Sequence, residues 1–192
     1  MFAEALAARL DGIVELSPEQ VRVLETHYRL LLLWNRTLNL SAISGLEEAV
    51  ERHYCESLFL GAQLPPGPLA IVDIGSGAGF PGFPVAVLRP ECSVTLIESH
   101  QRKAVFLREA SRGLPGLKVL ARRAEDVRET FDVAISRAVS YKDLAGSLKV
   151  LAPNADLLSG AEEPPARMGF EWKEPVALPW GKARFLWIGR RA

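Results

Sequence analysis

A chain of 192 residues, 48% of them hydrophobic, is long enough to bury a core as one ordinary domain, and its 23 basic residues balance its 23 acidic ones. That composition excludes a disordered polyelectrolyte and a wholesale polycation, so whole-chain charge names no partner. Its distribution says more: residues 102–128 hold eight basic residues against the three acids Glu109, Glu125 and Asp126, while the first sixty residues are net acidic, so one face can attract an anion.

In chain order, residues 1–10 form a short Ala-rich run carrying Glu4 and Arg9. No apolar stretch approaches the roughly eighteen residues of a membrane span, so a soluble cytoplasmic protein with no membrane association is expected. Ser17-Pro18-Glu19-Gln20 offers an N-cap, a first-turn proline and a following amide, and apolar residues then recur at Val21, Leu24, Tyr28, Leu31 and Trp34, which predicts a helix over 17–40. A second helix is expected over 46–60. Leu64-Pro65-Pro66-Gly67-Pro68 then stops helical structure, because proline lacks the amide donor and restricts its predecessor. It divides a single domain, 1–192, into an N-terminal helical extension, 1–63, and a core, 64–192. Cys55 and Cys92 have neither metal nor redox spacing and read as free buried thiols; no metal is expected.

Beyond residue 68, short β-branched runs at 70–74, 94–98, 118–121, 132–136 and 155–158 alternate with helical segments at 81–88, 100–112 and 141–151. This is the pattern of βαβ units on a mostly parallel sheet with helices on both faces. Residues 171–178 and 183–189, joined by Pro179-Trp180-Gly181-Lys182, read as an antiparallel hairpin and bring the sheet to seven strands. Residues 160–169 are too short and proline-rich for a helix.

The most informative stretch is Ile71-Val72-Asp73-Ile74-Gly75-Ser76-Gly77-Ala78-Gly79-Phe80-Pro81-Gly82, a buried strand entering a glycine-rich turn and a helix. Such glycines let backbone approach a ligand. The same run satisfies G-x-G-x-x-G, with Glu98 near the position where an acid grips the ribose of NAD, so the pattern alone allows two cofactors. Asp73, two residues before Gly75, suits a zwitterionic sulfonium ligand better than a pyrophosphate, and favours S-adenosylmethionine. Glu98 would accept from both ribose hydroxyls, and Arg123-Ala124-Glu125-Asp126 would flank an adenine.

An amino-group methyltransferase acting on adenine usually carries an Asp/Asn-Pro-Pro-aromatic turn after the fourth strand, where this chain has Ile135-Ser136-Arg137-Ala138-Val139. A pyrimidine-carbon methyltransferase needs a cysteine nucleophile, and neither cysteine lies at a strand end of this crevice. What remains is an acceptor that already owns a lone pair, such as guanine N7, for which alignment and desolvation matter more than a general base. Arg123 and Arg137, expected at neighbouring strand ends, either act in catalysis by orientation and electrostatics or form ion pairs with Glu98, Glu125 or Asp126. Arg102, Lys103, Arg108, Arg112 and Arg122 either form a solvated helix face or track an RNA backbone.

The motifs Leu33-Trp34-Asn35-Arg36-Thr37-Leu38-Asn39-Leu40, His53-Tyr54-Cys55-Glu56-Ser57-Leu58, Asp73 to Gly82, Leu96-Ile97-Glu98-Ser99 with Lys103 and Phe106-Leu107, and Ile135-Ser136-Arg137-Ala138 together resemble the ribosomal RNA small subunit methyltransferase G family, also called glucose-inhibited division protein B. The resemblance covers roughly 31–139. It implies a Rossmann-like class I S-adenosylmethionine-dependent methyltransferase fold preceded by N-terminal helices. It also implies a cytoplasmic enzyme that methylates N7 of one guanine in 16S ribosomal RNA, free or in the small-subunit particle; apart from the resemblance, a monomer is expected. It places Gly75 and Phe80 at the cofactor, Ala124 and Glu125 at its adenine end and Arg137 beside it; Asp73, Gly77 and Glu98 follow from the general methyltransferase pattern. Asn35, Asn39 and His53 match the family's N-terminal helices, and the two asparagines are expected to buttress the loop.

Two departures concern RNA. The family's Leu-Lys-Gly after the fifth strand is replaced by Leu157-Leu158-Ser159-Gly160, and a basic C-terminal run shrinks to Arg190-Arg191-Ala192, with Lys182, Arg184, Arg190 and Arg191 as candidate substitutes. The competing readings are an NAD(P)-binding oxidoreductase and a non-catalytic RNA- or protein-binding module on the same scaffold.

Overall fold

The computed structural model describes residues 1–43 and 45–192. Its centre is a mixed sheet in the order β3-β2-β1-β4-β5-β8-β6, with β7 also pairing β8. The parallel strands are β1 (Ala70–Ile74), β2 (Ser93–Ile97), β3 (Leu117–Leu120), β4 (Val133–Arg137) and β5 (Asn154–Ser159). β8 (Phe185–Arg191) runs antiparallel to β5, and β6 (Phe170–Trp172) and β7 (Val176–Ala177) pair its other edge. The expected strand at 171–178 is therefore two segments in one sheet position. The break lies at Lys173-Glu174-Pro175, where proline lacks a ladder donor.

Alternation along the strands decides what each face covers. Ile71, Val94, Leu96, Val133 and Ile135 join one core with Leu24, Tyr28, Leu31, Leu58, Phe83 and Phe106, whereas Val72, Ile74, Ile97, Ala134 and Ala155 join another with Leu144, Leu148 and Leu151. The first face is covered by α1 (Phe2–Leu10), α2 (Pro18–Asn35), the segment 46–63, α5 (Gly82–Leu88) and α6 (Gln101–Ala110); the second is covered by α7 (Tyr141–Leu144) and α8 (Leu148–Leu151). The N-terminal helices thus pack directly on the sheet.

Local chemistry sets the helix limits. Ser17 caps α2, its Oγ accepting from the Gln20 amide at 3.2 Å while the Gln20 side chain accepts from the Ser17 amide at 2.8 Å. The segment 46–63 comprises α3 (Leu46–Ala49), a π-helical turn (Val50–Cys55) and α4 (Glu56–Gln63), where a uniform helix over 46–60 was expected. Such wide turns recur at functional sites. The expected helix over 141–151 is broken at Ala145-Gly146-Ser147, since glycine destabilises a helix interior. Both cysteines are free and buried, and burial pushes the Cys55 thiol up to about 12. Among the described residues no helix is long and apolar enough to cross a membrane, and no group of three His, Cys, Asp or Glu side chains is placed to hold a metal ion.

One buried acid sits away from the glycine loop. Asp156 in β5 is 4% exposed, lines a cleft with Lys173, and is pushed up to about 7 by burial, with Lys173 opposing. Because the folded state holds this proton more tightly than the unfolded chain, stability falls as pH rises from about 4 through about 7. Asp156→Asn should therefore stabilise the fold at pH 8 by on the order of 2 kcal/mol and raise Tm there, and the difference should shrink at pH 5. Melting curves at both pH values check this, and equal gains at the two would refute the titration.

Candidate functional site

The sheet order reverses between β1 and β4, so the crevice at their carboxyl ends is a topological switch point, where open α/β sheets place ligands. After β1 the chain turns through Gly75, Gly77 and Gly79 with φ of +73°, +57° and +96°. A Cβ on Gly75 would lie 2.6 Å from Val139 Cγ2, so the backbone here is open only to glycine. Val139 is brought there by Ala138, a non-glycine residue at φ +59° just past β4. Such a conformation costs about 1–2 kcal/mol and is concentrated at functional sites.

Carboxylates hold this loop. The Gly77 amide donates to Glu98 Oε2 at 2.9 Å and the His100 amide to Glu98 Oε1 at 2.7 Å. The Gly82 amide, opening α5, donates to Asp73 Oδ2 at 2.9 Å. Two amides that would seat a pyrophosphate, one in the loop and one at the helix start, are thus already engaged by acids, which disfavours a dinucleotide. Asp73 is fully buried, its Oδ1 has no hydrogen-bond partner among the described residues, and burial pushes it up to about 7 against the opposing Gly82 amide. A buried carboxylate with one oxygen unengaged fits a cationic ligand.

The open part of the site is a cleft of about 140 Å³ lined by Ile74, Gly75, Ile97, Ser99, Arg122, Arg123, Ala124, Glu125 and Asp143. It is smaller than the ~300 Å³ at which ligand pockets usually begin, so it suits one end of a ligand. Gly75, Arg123, Ala124 and Glu125 meet here as predicted from the strand ends. Asp143 was not anticipated; it stands in the first turn of α7, where its amide donates to the N-cap Ser140 Oγ at 3.2 Å, and the spacing Ser140-x-x-Asp143 was its one sequence signal.

Arg137 belongs to a different cluster. β2 and β1 separate the ends of β3 and β4, so Arg123 and Arg137 are not neighbours, contrary to the reading from chain order. Nor does Arg137 pair with Glu98, Glu125 or Asp126. It donates to the Arg52 carbonyl and, at 2.7 Å, to His53 Nδ1; its guanidinium lies 5.3 Å from the centre of the Phe80 ring, and its nearest carboxylate is Glu56 at 4.0 Å. Burial lowers Arg137 to about 10, which leaves it charged at neutral pH. Phe80 is itself a core side chain, 3% exposed and stacked on His53 at 4.5 Å, so only its backbone is available to a ligand in this arrangement.

His27 was missed. Buried in α2, it donates from Nε2 to the Ala78 carbonyl of the glycine loop at 3.0 Å and accepts at Nδ1 from the Tyr54 hydroxyl at 2.8 Å. A carbonyl only accepts, which fixes the tautomer, and burial lowers the ring to about 3, keeping it neutral. Its place on the apolar face of α2, next to Leu24 and Tyr28, gives it no local signal that separates it from a core position. Asn35 and Asn39 were both expected to buttress the glycine loop; Asn35 instead holds the turn after α2, its Oδ1 accepting from the Leu40 and Ser41 amides at 2.8 and 3.0 Å, and Asn39 is exposed. Arg184, a candidate RNA contact, is instead held by Glu56 through two hydrogen bonds of 3.1 and 2.7 Å.

Residues 20–154 match the family model described as "GidB: rRNA small subunit methyltransferase G". A protein of that name from Moorella thermoacetica is 39% identical over 140 residues, 68% of this chain and 58% of its own. One from Halorhodospira halophila is 38% identical over 160 residues, 80% of this chain and 76% of its own. The matched stretch thus spans less than two thirds of the Moorella relative, and the same holds for one from Pelotomaculum thermopropionicum, at 59%. Among solved structures, magnesium protoporphyrin IX methyltransferase from Synechocystis PCC 6803 superposes with a TM-score of 0.60 over 93% of this chain and 99% of its own, at 12% identity. A SAM-dependent methyltransferase from Aquifex aeolicus gives 0.57 over 76% and 93%, at 16%. At such identities these two speak for the fold alone, which is the expected Rossmann-like methyltransferase architecture. With a family model matched over 20–154 of 192 residues, the chain belongs to the rRNA small subunit methyltransferase G (GidB) family.

Proposed function

We propose that this chain transfers a methyl group from S-adenosylmethionine to N7 of a guanine in 16S ribosomal RNA, acting in the cytoplasm as a monomer. The observation that carries the reading is the carboxylate-held loop: Glu98 and Asp73 engage the Gly77 and Gly82 amides, so the site offers acids and tight backbone to its ligand where a nicotinamide dinucleotide would need free amides. When bound, S-adenosylmethionine supplies a methyl group on a positively charged sulfur. Gly75 and Gly77 would give the ligand backbone access, Glu98 has lone pairs left for ribose hydroxyls, and Ala124 with Glu125 would border its adenine. The acceptor nitrogen owns its lone pair, so the residues' task is alignment and exclusion of water, with no general base.

For RNA, Arg122 and Arg123 line the cleft, and Arg102 and Arg108 are exposed cations on α6, while Arg112 pairs with Glu109. Their disposition supports a phosphate track. Arg137→Ala should lower kcat roughly 10²-fold, the scale for removing one preorganised donor, with S-adenosylhomocysteine affinity within about threefold. Its fold should survive, because Glu56 keeps Arg184 as partner. Full activity in this variant would make Arg137 purely structural.

The decisive experiment is transfer of labelled methyl from S-adenosylmethionine to small-subunit RNA and particles lacking the modification, followed by nucleoside analysis. Labelled 7-methylguanosine is the expected result. No label despite S-adenosylhomocysteine binding would overturn the acceptor, and would favour the non-catalytic module; NAD binding without S-adenosylhomocysteine binding would overturn the cofactor.

A further inference from the structure

We propose that His53 is the positioning residue of Arg137, holding its guanidinium against Phe80 and the glycine loop by accepting a hydrogen bond at Nδ1. This rests on the reading of Arg137 as a group of the methyl-transfer site.

Glu56 is the obvious partner for Arg137, yet it does not position it. Its Oε1 and Oε2 both accept from Arg184, and Arg137 Nη1 stays 4.0 Å from the nearer oxygen, so Glu56 supplies charge without a directed hydrogen bond. Two contacts direct the guanidinium: the Arg52 carbonyl, inside the π-helical turn, and His53 Nδ1. Arginine can only donate, so Nδ1 is an acceptor and the ring proton is on Nε2, which donates to Ser41 Oγ at 2.7 Å. Ser41 is in turn fixed by Asn35, whose Oδ1 accepts from the Ser41 amide and whose Nδ2 donates to the Ser41 carbonyl at 2.9 Å. A chain of hydrogen bonds therefore runs from Asn35 through Ser41 and His53 to Arg137 at the end of β4. Stacking on Phe80, with planes 9° apart, holds the imidazole in orientation.

This arrangement leaves Arg137 useful. A guanidinium has five N–H groups; two are engaged by Arg52 and His53, which leaves three for an oxygen of the RNA acceptor. The ring must stay neutral, since an imidazolium would present a proton to a cation. Arg137, Arg52 and His27 surround it and burial lowers it to about 3.

Two measurements test this, one independent of any activity. Long-range ¹⁵N–¹H NMR of the intact protein should show His53 neutral, protonated at Nε2 and bare at Nδ1, throughout pH 5–8. A proton on Nδ1 at pH 7 would overturn the proposal. In kinetics, His53→Phe keeps a ring for stacking but removes the acceptor; kcat should fall about 10- to 100-fold while the S-adenosylhomocysteine Kd moves less than threefold. His53→Asn places an amide oxygen near the former Nδ1 and should recover most of the loss. Undiminished kcat in His53→Phe, or a loss that His53→Asn fails to rescue in a folded protein, would also overturn it. Should the wild type transfer no methyl at all, the functional reading fails while the NMR result still decides the geometry.

Discussion

Gly75→Val is expected to weaken S-adenosylhomocysteine binding more than 100-fold in calorimetry. Two costs coincide at this position. The backbone sits at φ +73°, where an L-residue pays about 1–2 kcal/mol and a β-branched one more. A Cβ would also stand 2.6 Å from Val139 Cγ2, far inside contact distance, so either the loop or the strand end after β4 must shift. A shifted loop does not move alone: the Gly75 and Ser76 amides both donate to the Ile97 carbonyl at 3.0 Å, and the next amide is held by Glu98. Displacement at Gly75 therefore reaches the β2 end, where the ribose is expected. Gly75→Ala with Val139→Ala removes the collision but keeps the torsional cost, and should recover part of the affinity. Glu98→Ala should cost less, roughly tenfold, because it frees two amides without moving the backbone. Unchanged affinity in both Gly75→Val and Glu98→Ala would remove this loop from the cofactor site.

Gly75, Gly77 and Glu98 were legible because their signal is local: a β-branched run, glycines at fixed spacing and an acid at the next strand end are all consequences of short-range sterics. The Ser17 cap was readable for the same reason. His53 and Arg137 are 84 positions apart, and nothing local in either says that they touch. Arg123 and Arg137 were misplaced relative to each other because chain order is not sheet order; the step from β3 to β4 crosses both β2 and β1. His27 was hidden by burial, since a histidine on the apolar face of a helix carries the same pattern whether it packs or binds a loop carbonyl. The break at Gly146 and the interruption at Pro175 did have local signals, overridden by the expectation of longer elements.

The largest stability loss is expected at Glu56, a residue outside the cofactor cleft. Its side chain is 2% exposed and accepts two hydrogen bonds from Arg184 in the C-terminal hairpin, with Arg137 nearby at 4.0 Å. Removing one partner of a buried pair leaves an uncompensated charge, typically worth 3–5 kcal/mol. Here two part-buried guanidinium groups lose a buried carboxylate together, so Glu56→Ala should reach about 4 kcal/mol and lower Tm by roughly 10 °C for a chain of this size. The loss should also loosen the tail. Arg184 ties the hairpin to the N-terminal helices beside Trp180, whose indole donates to the Arg9 carbonyl at 3.2 Å and whose ring is edge-on to Phe59. Limited proteolysis should accordingly cut Glu56→Ala first between Pro179 and Arg184. The pair itself need not be stabilising relative to an apolar substitute, because desolvation offsets much of its attraction. Glu56→Leu with Arg184→Met, filling the same space without charge, should therefore recover more than half of the loss, and a double-mutant cycle separates the two effects. A Tm change below 2 °C in Glu56→Ala would show that solvent already compensates both arginines, and the hairpin would then be held by its pairing with β5 and by Trp180.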